Sequence, residues 1–118
     1  MEHTMKLQPV PFSKIASGEK TIELRLYDEK RQAIALGDTV RFVCTENGVQ
    51  LLTTVVALHR FDSFAALYAV LPLTKCGYAA DETADPADMN VYYSPQAQAK
   101  YGVVGIEIQK TNGGHLPC

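Results

Sequence analysis

Residues 18–31 read GEKTIELRLYDEKR, in which Ile22, Leu24 and Leu26 alternate with other residues before a run of mixed charge begins. Successive side chains of a β-strand face opposite sides, so we expect these three apolar residues to bury together. The opposite face of the strand then carries four residues: Thr21, Glu23, Arg25 and Tyr27. The segment therefore predicts an amphipathic strand on which a glutamate and an arginine are neighbours.

The charged residues of this strand have two interpretations. In the first, Glu23 and Arg25 form a solvated ion pair, which typically contributes about 0 to 1 kcal/mol. In the second, Lys20 at the entrance to the strand reaches the rim of a cleft. A partly desolvated lysine beside a carboxylate can act there as a general base or bind a phosphate or carbonyl oxygen. Lys20 and Glu23 are thus candidate catalytic residues, although spacing alone does not separate catalytic from structural ion pairs.

Composition limits the kind of protein that this chain can form. It has 118 residues, of which 47% are hydrophobic and 20% are charged, and this is typical of one folded domain. A formal net charge of -2 argues against a protein held on nucleic acid by bulk charge, because such binding needs clustered Lys and Arg. A local basic cleft stays compatible with this balance, and no feature indicates DNA in particular.

The cysteines and the N-terminus indicate the compartment. Cys44, Cys76 and Cys118 are odd in number and lack zinc-ligand or CxxC spacing, so we expect free thiols in a reducing environment. Residues 1–12 lack the apolar core of a secretory signal, and no apolar run approaches the roughly 18 residues that span a bilayer. We therefore expect a cytoplasmic protein with no metal, cofactor or membrane partner, and a monomer is favoured.

Glycine, proline and strand patterns divide the first half of the chain. Residues 11–17 predict a short helix, which a glycine closes. Residues 39–44 alternate like a half-buried strand. The Asn-Gly pair at 47–48 predicts a type I′ hairpin, in which both central residues have positive φ, and residues 51–58 predict the antiparallel return strand.

Capping residues divide the second half. Ser63 is the expected N-cap of a helix over 64–71, and residues 74–91 predict a long acidic loop. Ser94 is the expected cap of a last helix, before a final strand over 103–108. The order β-α-β-β-β-α-loop-α-β predicts the α+β class, with a small, mostly antiparallel β-barrel and short flanking helices.

Tyr93 and Ser94, just before the last helix, are further candidates for ligand binding. The free N–H groups at a helix N-terminus favour anions. An exposed tyrosine beside a cleft can stack on a base, which is worth about 1 to 3 kcal/mol. The alternative interpretation is that Ser94 only caps the helix and that the tyrosine only packs.

Three motifs in combination make the sequence recognisable. They are GEKTIELR at residues 18–25, the Gly-Asp turn at 37–38, and YYSPQAQAKYGVVGIEI at 92–108. With them the chain closely resembles the ASCH domain family over residues 5–110, which leaves residues 111–118 as a C-terminal tail. The resemblance implies a single domain with a PUA-like fold, a small β-barrel with flanking helices and a cleft between them.

The resemblance also implies ligands of the RNA, nucleotide or modified-nucleoside kind, in a cleft lined by the lysine and polar residues of the strand. The candidate ligand-binding residues are Lys20, Thr21, Glu23, Arg25, Tyr93 and Ser94.

Some members of the wider family hydrolyse the acetyl amide of 4-acetylcytidine. They use a lysine that matches Lys20, a threonine three residues later and a glutamate from a helix. Here Glu23 stands at the threonine position, and a carboxylate does not simply replace a hydroxyl nucleophile. The last helix offers Gln96 and Gln98 where an acid would match the family pattern.

Three functions therefore stay open. The first is binding of RNA or a nucleotide-like ligand in a cleft lined by Lys20, Glu23 and Arg25. The second is hydrolysis of an acylated pyrimidine nucleoside such as 4-acetylcytidine, in which Lys20 activates a nucleophile and Glu23 relays a proton or orients the substrate. The third is a protein-interaction module whose cleft holds no nucleotide.

Overall fold

The computed structural model describes residues 1–111, so the predicted tail lies outside the described residues except for its first residue. The strands and α-helices are β1 (Glu2–Leu7), α1 (Pro9–Ser17), β2 (Ile22–Leu26), α2 (Glu29–Gln32), β3 (Thr39–Cys44), β4 (Gln50–Phe61), α3 (Phe64–Val70), α4 (Pro95–Tyr101) and β5 (Val103–Lys110). Two 3₁₀ helices, Leu73–Cys76 and Pro86–Val91, lie between α3 and α4.

The five strands form one sheet in the order β1-β3-β4-β5-β2. β1 pairs with β3 in parallel, and the other three pairings are antiparallel. The sheet curls into a half-barrel whose edge strands, β1 and β2, are not paired with each other. The predicted α+β class with a mostly antiparallel curled sheet is confirmed, and a gap remains between the two edge strands.

Apolar side chains bury in two clusters. One cluster packs α1 against β1, β3 and β5, with Ile15 and Phe42 among its fully buried members. The other cluster packs Ile22, Leu24 and Leu26 of β2 against α3 and the first 3₁₀ helix. The alternation in the β2 segment therefore predicted the buried face of this strand correctly.

The caps predicted for α3 and α4 are confirmed, whereas α1 begins at Pro9 and not at residue 11, and α2 was not predicted. Ser63 Oγ accepts a hydrogen bond from the Ala66 amide at 3.1 Å, and Ser94 Oγ accepts one from the Ala97 amide at the same distance. These bonds satisfy amides that have no partner inside the first turn. All the helices are short, and none within residues 1–111 has the length and apolar character needed to cross a membrane.

The predicted type I′ hairpin at 47–48 is wrong. Gly48 has φ +73°, but no other residue type within residues 1–111 has positive φ, so Asn47 does not take part in such a turn. The Asn47 side chain instead accepts a hydrogen bond from the Val49 amide at 3.0 Å, which stabilises a longer loop. β3 and β4 still pair antiparallel, with Val43 opposite Gln50.

Two other regions differ from the prediction. β4 continues to Phe61, beyond the expected end at 58, because a register shift between Val55 and Ala57 lets the strand follow the curl and pair with β5. The segment predicted as an acidic loop, 74–91, contains the second 3₁₀ helix and most of the first one. The second one begins at a capping box formed by Asp85 and Asp88, so these acids have a structural role at the helix start.

Candidate ligand-binding cleft

A cleft of about 520 Å³ opens between the unpaired edges of β1 and β2. Residues of α1 and of the segment 76–93 also line it. Its volume falls within the range of about 300 to 1,000 Å³ that is usual for small-molecule sites. The charged and aromatic lining residues are Lys6, Lys14, Lys20, Glu23, Arg25, Tyr68, Tyr78, Glu82, Asp88, Tyr92 and Tyr93.

Glu23 is the buried charge of this cleft, with only 4% of its surface exposed. Its Oε1 lies 2.8 Å from Lys20 Nζ, and its Oε2 lies 2.7 Å from Arg25 Nε. Burial alone would raise the pKa of the Glu23 carboxyl, but the charges of Lys20 and Arg25 outweigh burial and hold it below its ordinary value. Glu23 is therefore an ionised carboxylate clamped between two cations, so the interpretation as a solvated pair is wrong.

Lys20 reaches Glu23 because the chain turns before β2 begins. The Lys20 amide donates to Lys14 O at 3.0 Å and the Thr21 amide to Lys75 O at 2.9 Å, so strand alternation does not extend back to these residues. Gly77, with φ +112°, lies against the lysine side chain. A Cβ added there would be 3.3 Å from Lys20 Cδ, so glycine lets the backbone pass close to the lysine.

Arg25 connects the two edges of the half-barrel. Its Nε donates to Glu23 Oε2 at 2.7 Å, and its Nη2 donates to the Lys6 carbonyl of β1 at 3.0 Å. Burial lowers the pKa of Arg25, but the Glu23 charge raises it by more, so the pKa lies above its ordinary value. The guanidinium therefore stays charged and spans the gap that no backbone pairing closes.

A chain of hydrogen bonds forms a second polar group in the cleft. The Tyr68 and Tyr78 hydroxyls lie 2.8 Å apart, and the Tyr78 hydroxyl donates to Asp88 Oδ2 at 2.9 Å. Burial, together with the bonds to Tyr68 and Asp88, raises the pKa of Tyr78, so this phenol stays protonated. These hydrogen bonds connect α3 to the second 3₁₀ helix.

The structure brings four of the six predicted ligand-binding residues together: Lys20, Glu23, Arg25 and Tyr93 line one cleft. Thr21 does not join them. It lines a separate depression with Glu19 and Lys75, because the hydrogen bond from its amide to Lys75 O turns the residue away from the cleft.

Ser94 is not among the lining residues either, and its hydroxyl is used by the helix cap. The geometry therefore does not support ligand roles for Thr21 and Ser94. The Tyr93 ring stacks on Phe64, with centroids 6.1 Å apart, whereas Tyr92 is 68% exposed and is the more accessible aromatic ring.

Sequence reasoning missed Lys6, Lys14, Tyr68, Tyr78 and Cys76 as lining residues. They come from different elements and share no motif, so only the folded chain brings them together. Burial raises the pKa of the Cys76 thiol to about 11, with the Lys20 charge opposing and the Glu23 charge adding to the shift. This thiol is neutral and therefore a poor nucleophile at physiological pH. Within residues 1–111, no three His, Cys, Asp or Glu side chains are grouped as a metal site would need.

Comparisons with known proteins agree with this architecture. Among solved structures, the crystal structure of hypothetical protein PH0355 is 30% identical, with a TM-score of 0.79, and the match covers 94% of this chain and 100% of that one. The solution structure of protein PF0455 from Pyrococcus furiosus is 32% identical, with a TM-score of 0.74, and the match covers 95% of this chain and 99% of that one. The crystal structure of ASCH from Zymomonas mobilis shares the fold at 15% identity and a TM-score of 0.64, over 92% of this chain and 66% of that one.

A search of curated proteins finds no match to the chain. The family model for the ASCH domain matches residues 5–112, which is nearly the whole sequence. The chain belongs to the ASCH domain family.

Proposed function

We propose that this ASCH domain binds a nucleoside or nucleotide, free or as a unit of single-stranded RNA, in the cleft lined by Lys20, Glu23 and Arg25. The observation that carries the proposal is the clamped Glu23 carboxylate, buried at the cleft wall between two cations. Burying such a group costs desolvation free energy, and well-packed apolar residues are often at least as stable in its place. Strongly perturbed ionisable groups in a cleft are therefore candidates for a functional role.

The charge of the cleft supports a ligand of limited negative charge. Its lining contains four cations, Lys6, Lys14, Lys20 and Arg25, and three acids, Glu23, Glu82 and Asp88, although the whole chain has a formal charge of -2. A small excess of positive charge suits one phosphate group. It does not suit a long polyanion, which needs many phosphate contacts.

The aromatic residues of the cleft support a flat ligand. Tyr92 is 68% exposed, and its ring centroid lies 6.4 Å from that of Tyr93, which is backed by Phe64. An accessible tyrosine ring that is held by neighbouring rings is a suitable stacking partner for a base. Stacking on Tyr92 and charge contacts with the cations would together orient a nucleotide.

Hydrolysis is less well supported than binding. A general base works best when its pKa lies near the working pH, but the Glu23 pKa is lowered and both of its oxygens are engaged by cations. Thr21 lines a different depression, and the Cys76 thiol is neutral because burial raises its pKa to about 11. These features argue against Glu23 as a general base and against Thr21 and Cys76 as nucleophiles in this cleft.

Melting temperatures measured with a panel of nucleosides, nucleoside monophosphates and short RNAs test the proposal. A ligand that binds only the folded state raises Tm, and a concentration of about 100 Kd stabilises by about 2.7 kcal/mol. We expect a shift for at least one monomeric ligand with the wild type, a reduced shift with Lys20→Ala, and an unchanged shift with Arg41→Ala. Arg41 is the matched control because it pairs with Glu2 outside the cleft. A flat panel would reject the proposal and favour a protein-interaction module.

A second assay separates binding from catalysis. Purified protein is incubated with 4-acetylcytidine, and loss of the acetyl group is followed by chromatography. We expect no turnover above the level of a Lys20→Ala variant. Turnover that depends on Lys20 would show that the cleft is an active site and not only a binding site.

A further inference from the structure

We propose that the backbone N–H and C=O of Leu24, on the open edge of β2, bind the base-pairing edge of the nucleobase. This inference rests on the function proposed above and names the part of the site that recognises the base. It assigns recognition to the main chain, where side-chain motifs give no signal.

The direction of the Leu24 backbone follows from the pairing of β2 with β5. In an antiparallel pair, the N–H and C=O of one residue point toward the partner strand and those of the next residue point away. The Ile108 amide donates to Thr21 O at 2.9 Å, and the Tyr27 amide donates to Gly102 O at 3.0 Å. The backbone N–H and C=O groups of the odd-numbered residues of β2 therefore point toward β5. Leu24, an even-numbered residue, directs its N–H and C=O toward the open edge.

This edge faces the cleft and has no strand partner within residues 1–111. Leu24 lines the cleft, while its side chain belongs to the apolar cluster with Ile22 and Leu26 and leaves the residue only 6% exposed. Backbone groups at buried positions are nearly always hydrogen-bonded. A ligand in the cleft is in position to supply the partners.

The facing edge of β1 is already engaged. The Thr39 amide donates to Met1 O and the Thr45 amide donates to Leu7 O. The backbone groups of the odd-numbered residues of β1 therefore point toward β3, and those of Lys6 point toward the cleft. The Lys6 carbonyl accepts the 3.0 Å bond from Arg25. A peptide strand added between the edges would have to displace this guanidinium from the gap that it spans. The geometry therefore favours a small planar ligand over a peptide.

The chemistry of the ligand edge follows from the Leu24 groups. One residue offers a donor and an acceptor on the same side, so it complements a group that has an acceptor and a donor next to each other. The pairing edges of the four common bases all have this arrangement, and proteins that bind unstacked bases commonly contact them there. A methyl group in place of the donor hydrogen removes one bond and blocks the approach.

The first test uses the wild-type protein and eight ligands. Kd values are measured by calorimetry for AMP, GMP, CMP and UMP, and for their N6,N6-dimethyl, 1-methyl, N4,N4-dimethyl and 3-methyl derivatives. We expect the tightest unmodified nucleotide to lose at least about tenfold in affinity on methylation. Equal affinity for the two forms would overturn the proposal and leave nucleotide binding intact. If none of the eight ligands binds, the proposed function fails, and this inference fails with it.

The second test changes only the backbone. An α-hydroxy acid with the leucine side chain replaces Leu24, so that an ester oxygen stands where the N–H was. The same replacement at Leu26 is the matched control, because its N–H also points away from β5 but Leu26 does not line the cleft. We expect about a tenfold loss of affinity for the tightest nucleotide at position 24 and no change at position 26. Equal affinities of the two ester proteins would overturn the assignment to Leu24.

Discussion

Two glutamate–arginine pairs of this protein use the same chemistry in different surroundings. In β2, Glu23 Oε2 lies 2.7 Å from Arg25 Nε, and the side chains are 5% and 14% exposed. Across β1 and β3, Glu2 Oε2 lies 2.8 Å from Arg41 Nε, and the side chains are 47% and 34% exposed. The distances are nearly equal, so what distinguishes the two pairs is burial and the additional cation, Lys20, at the first pair.

The two pairs differ in the free-energy cost of burying their charges, which is high for the Glu23 pair and low for the Glu2 pair. An exposed pair is screened by water and contributes little, whereas a buried charge without its partner is strongly destabilising. The Glu23 pair is buried beside a cleft, and the Glu2 pair lies outside that cleft. Variants of the two pairs can therefore separate the effect of burial from the effect of ion-pair chemistry.

The largest expected effect comes from removing the central charge. Glu23→Gln leaves Lys20 and Arg25 buried without a counter-charge, and we expect a loss of about 3 to 5 kcal/mol in the free energy of unfolding. Urea denaturation near neutral pH measures it. Glu2→Gln is the matched control and should change stability far less, because its side chain is nearly half exposed. Similar losses in the two variants would contradict the claim that burial makes the Glu23 pair more important for stability than the Glu2 pair.

Arg25→Lys tests whether the fork of the guanidinium matters. A lysine ammonium cannot reproduce the two directed bonds to Glu23 Oε2 and Lys6 O, so we expect a loss of about 1.5 to 3 kcal/mol in unfolding free energy. The control is Arg41→Lys, which changes the same groups in the exposed pair. If both replacements are tolerated equally well, the connection across the half-barrel gap does not stabilise the fold.

Gly77→Ala tests the contact that holds Lys20 in place. The residue has φ +112°, and an added Cβ would lie 3.3 Å from Lys20 Cδ. We expect a loss of about 1 to 2 kcal/mol in unfolding free energy, together with weaker nucleotide binding. Gly48→Ala is the control, because Gly48 has φ +73° and no heavy atom within 4 Å of an added Cβ. It should lose stability through backbone strain alone and keep the wild-type affinity.

The smallest expected effect is a change of stability with pH. The Glu23 pKa lies below the unfolded value of 4.5, so the unfolded chain binds more protons in this range and stability falls as pH falls. The stabilisation from Glu23 is complete above pH 4.5 and is lost as pH decreases through the folded pKa. The stability gap between wild type and Glu23→Gln should therefore narrow from about pH 7 to about pH 3. A gap that stays constant in urea denaturation would show that the pair does not lower this pKa.

The features that the sequence predicts depend on residues close together in the chain, whereas those that it misses depend on side-chain contacts that the local pattern does not show. The buried face of β2 and the caps at Ser63 and Ser94 depend on neighbours within a few residues, so the sequence predicts them. The predicted β3–β4 hairpin is present, but its type I′ turn is not, because the Asn47 side chain accepts a hydrogen bond from the Val49 amide, which the dipeptide pattern does not show.

The site itself was only partly predictable. Glu23 and Arg25 share a strand face and could be paired from alternation alone. The position of Lys20 depends on hydrogen bonds from its own amide to Lys14 O and from the Thr21 amide to Lys75 O. The position of Tyr78 depends on its hydrogen bonds with Tyr68 and Asp88. Extending alternation back to Thr21 placed it on the face of Glu23, whereas the structure places it in a separate depression.

Nuclear magnetic resonance of the arginine Nε–H groups tests the central claim most directly, because Arg25 and Arg41 report on the two ion pairs in one sample. The nucleotide that raises Tm most is titrated into the labelled wild-type protein. We expect the Arg25 signal to shift progressively until the cleft is saturated, while the Arg41 signal stays unchanged. An Arg25 signal that does not respond, or equal shifts of both signals, would contradict a ligand site at the clamped Glu23 carboxylate.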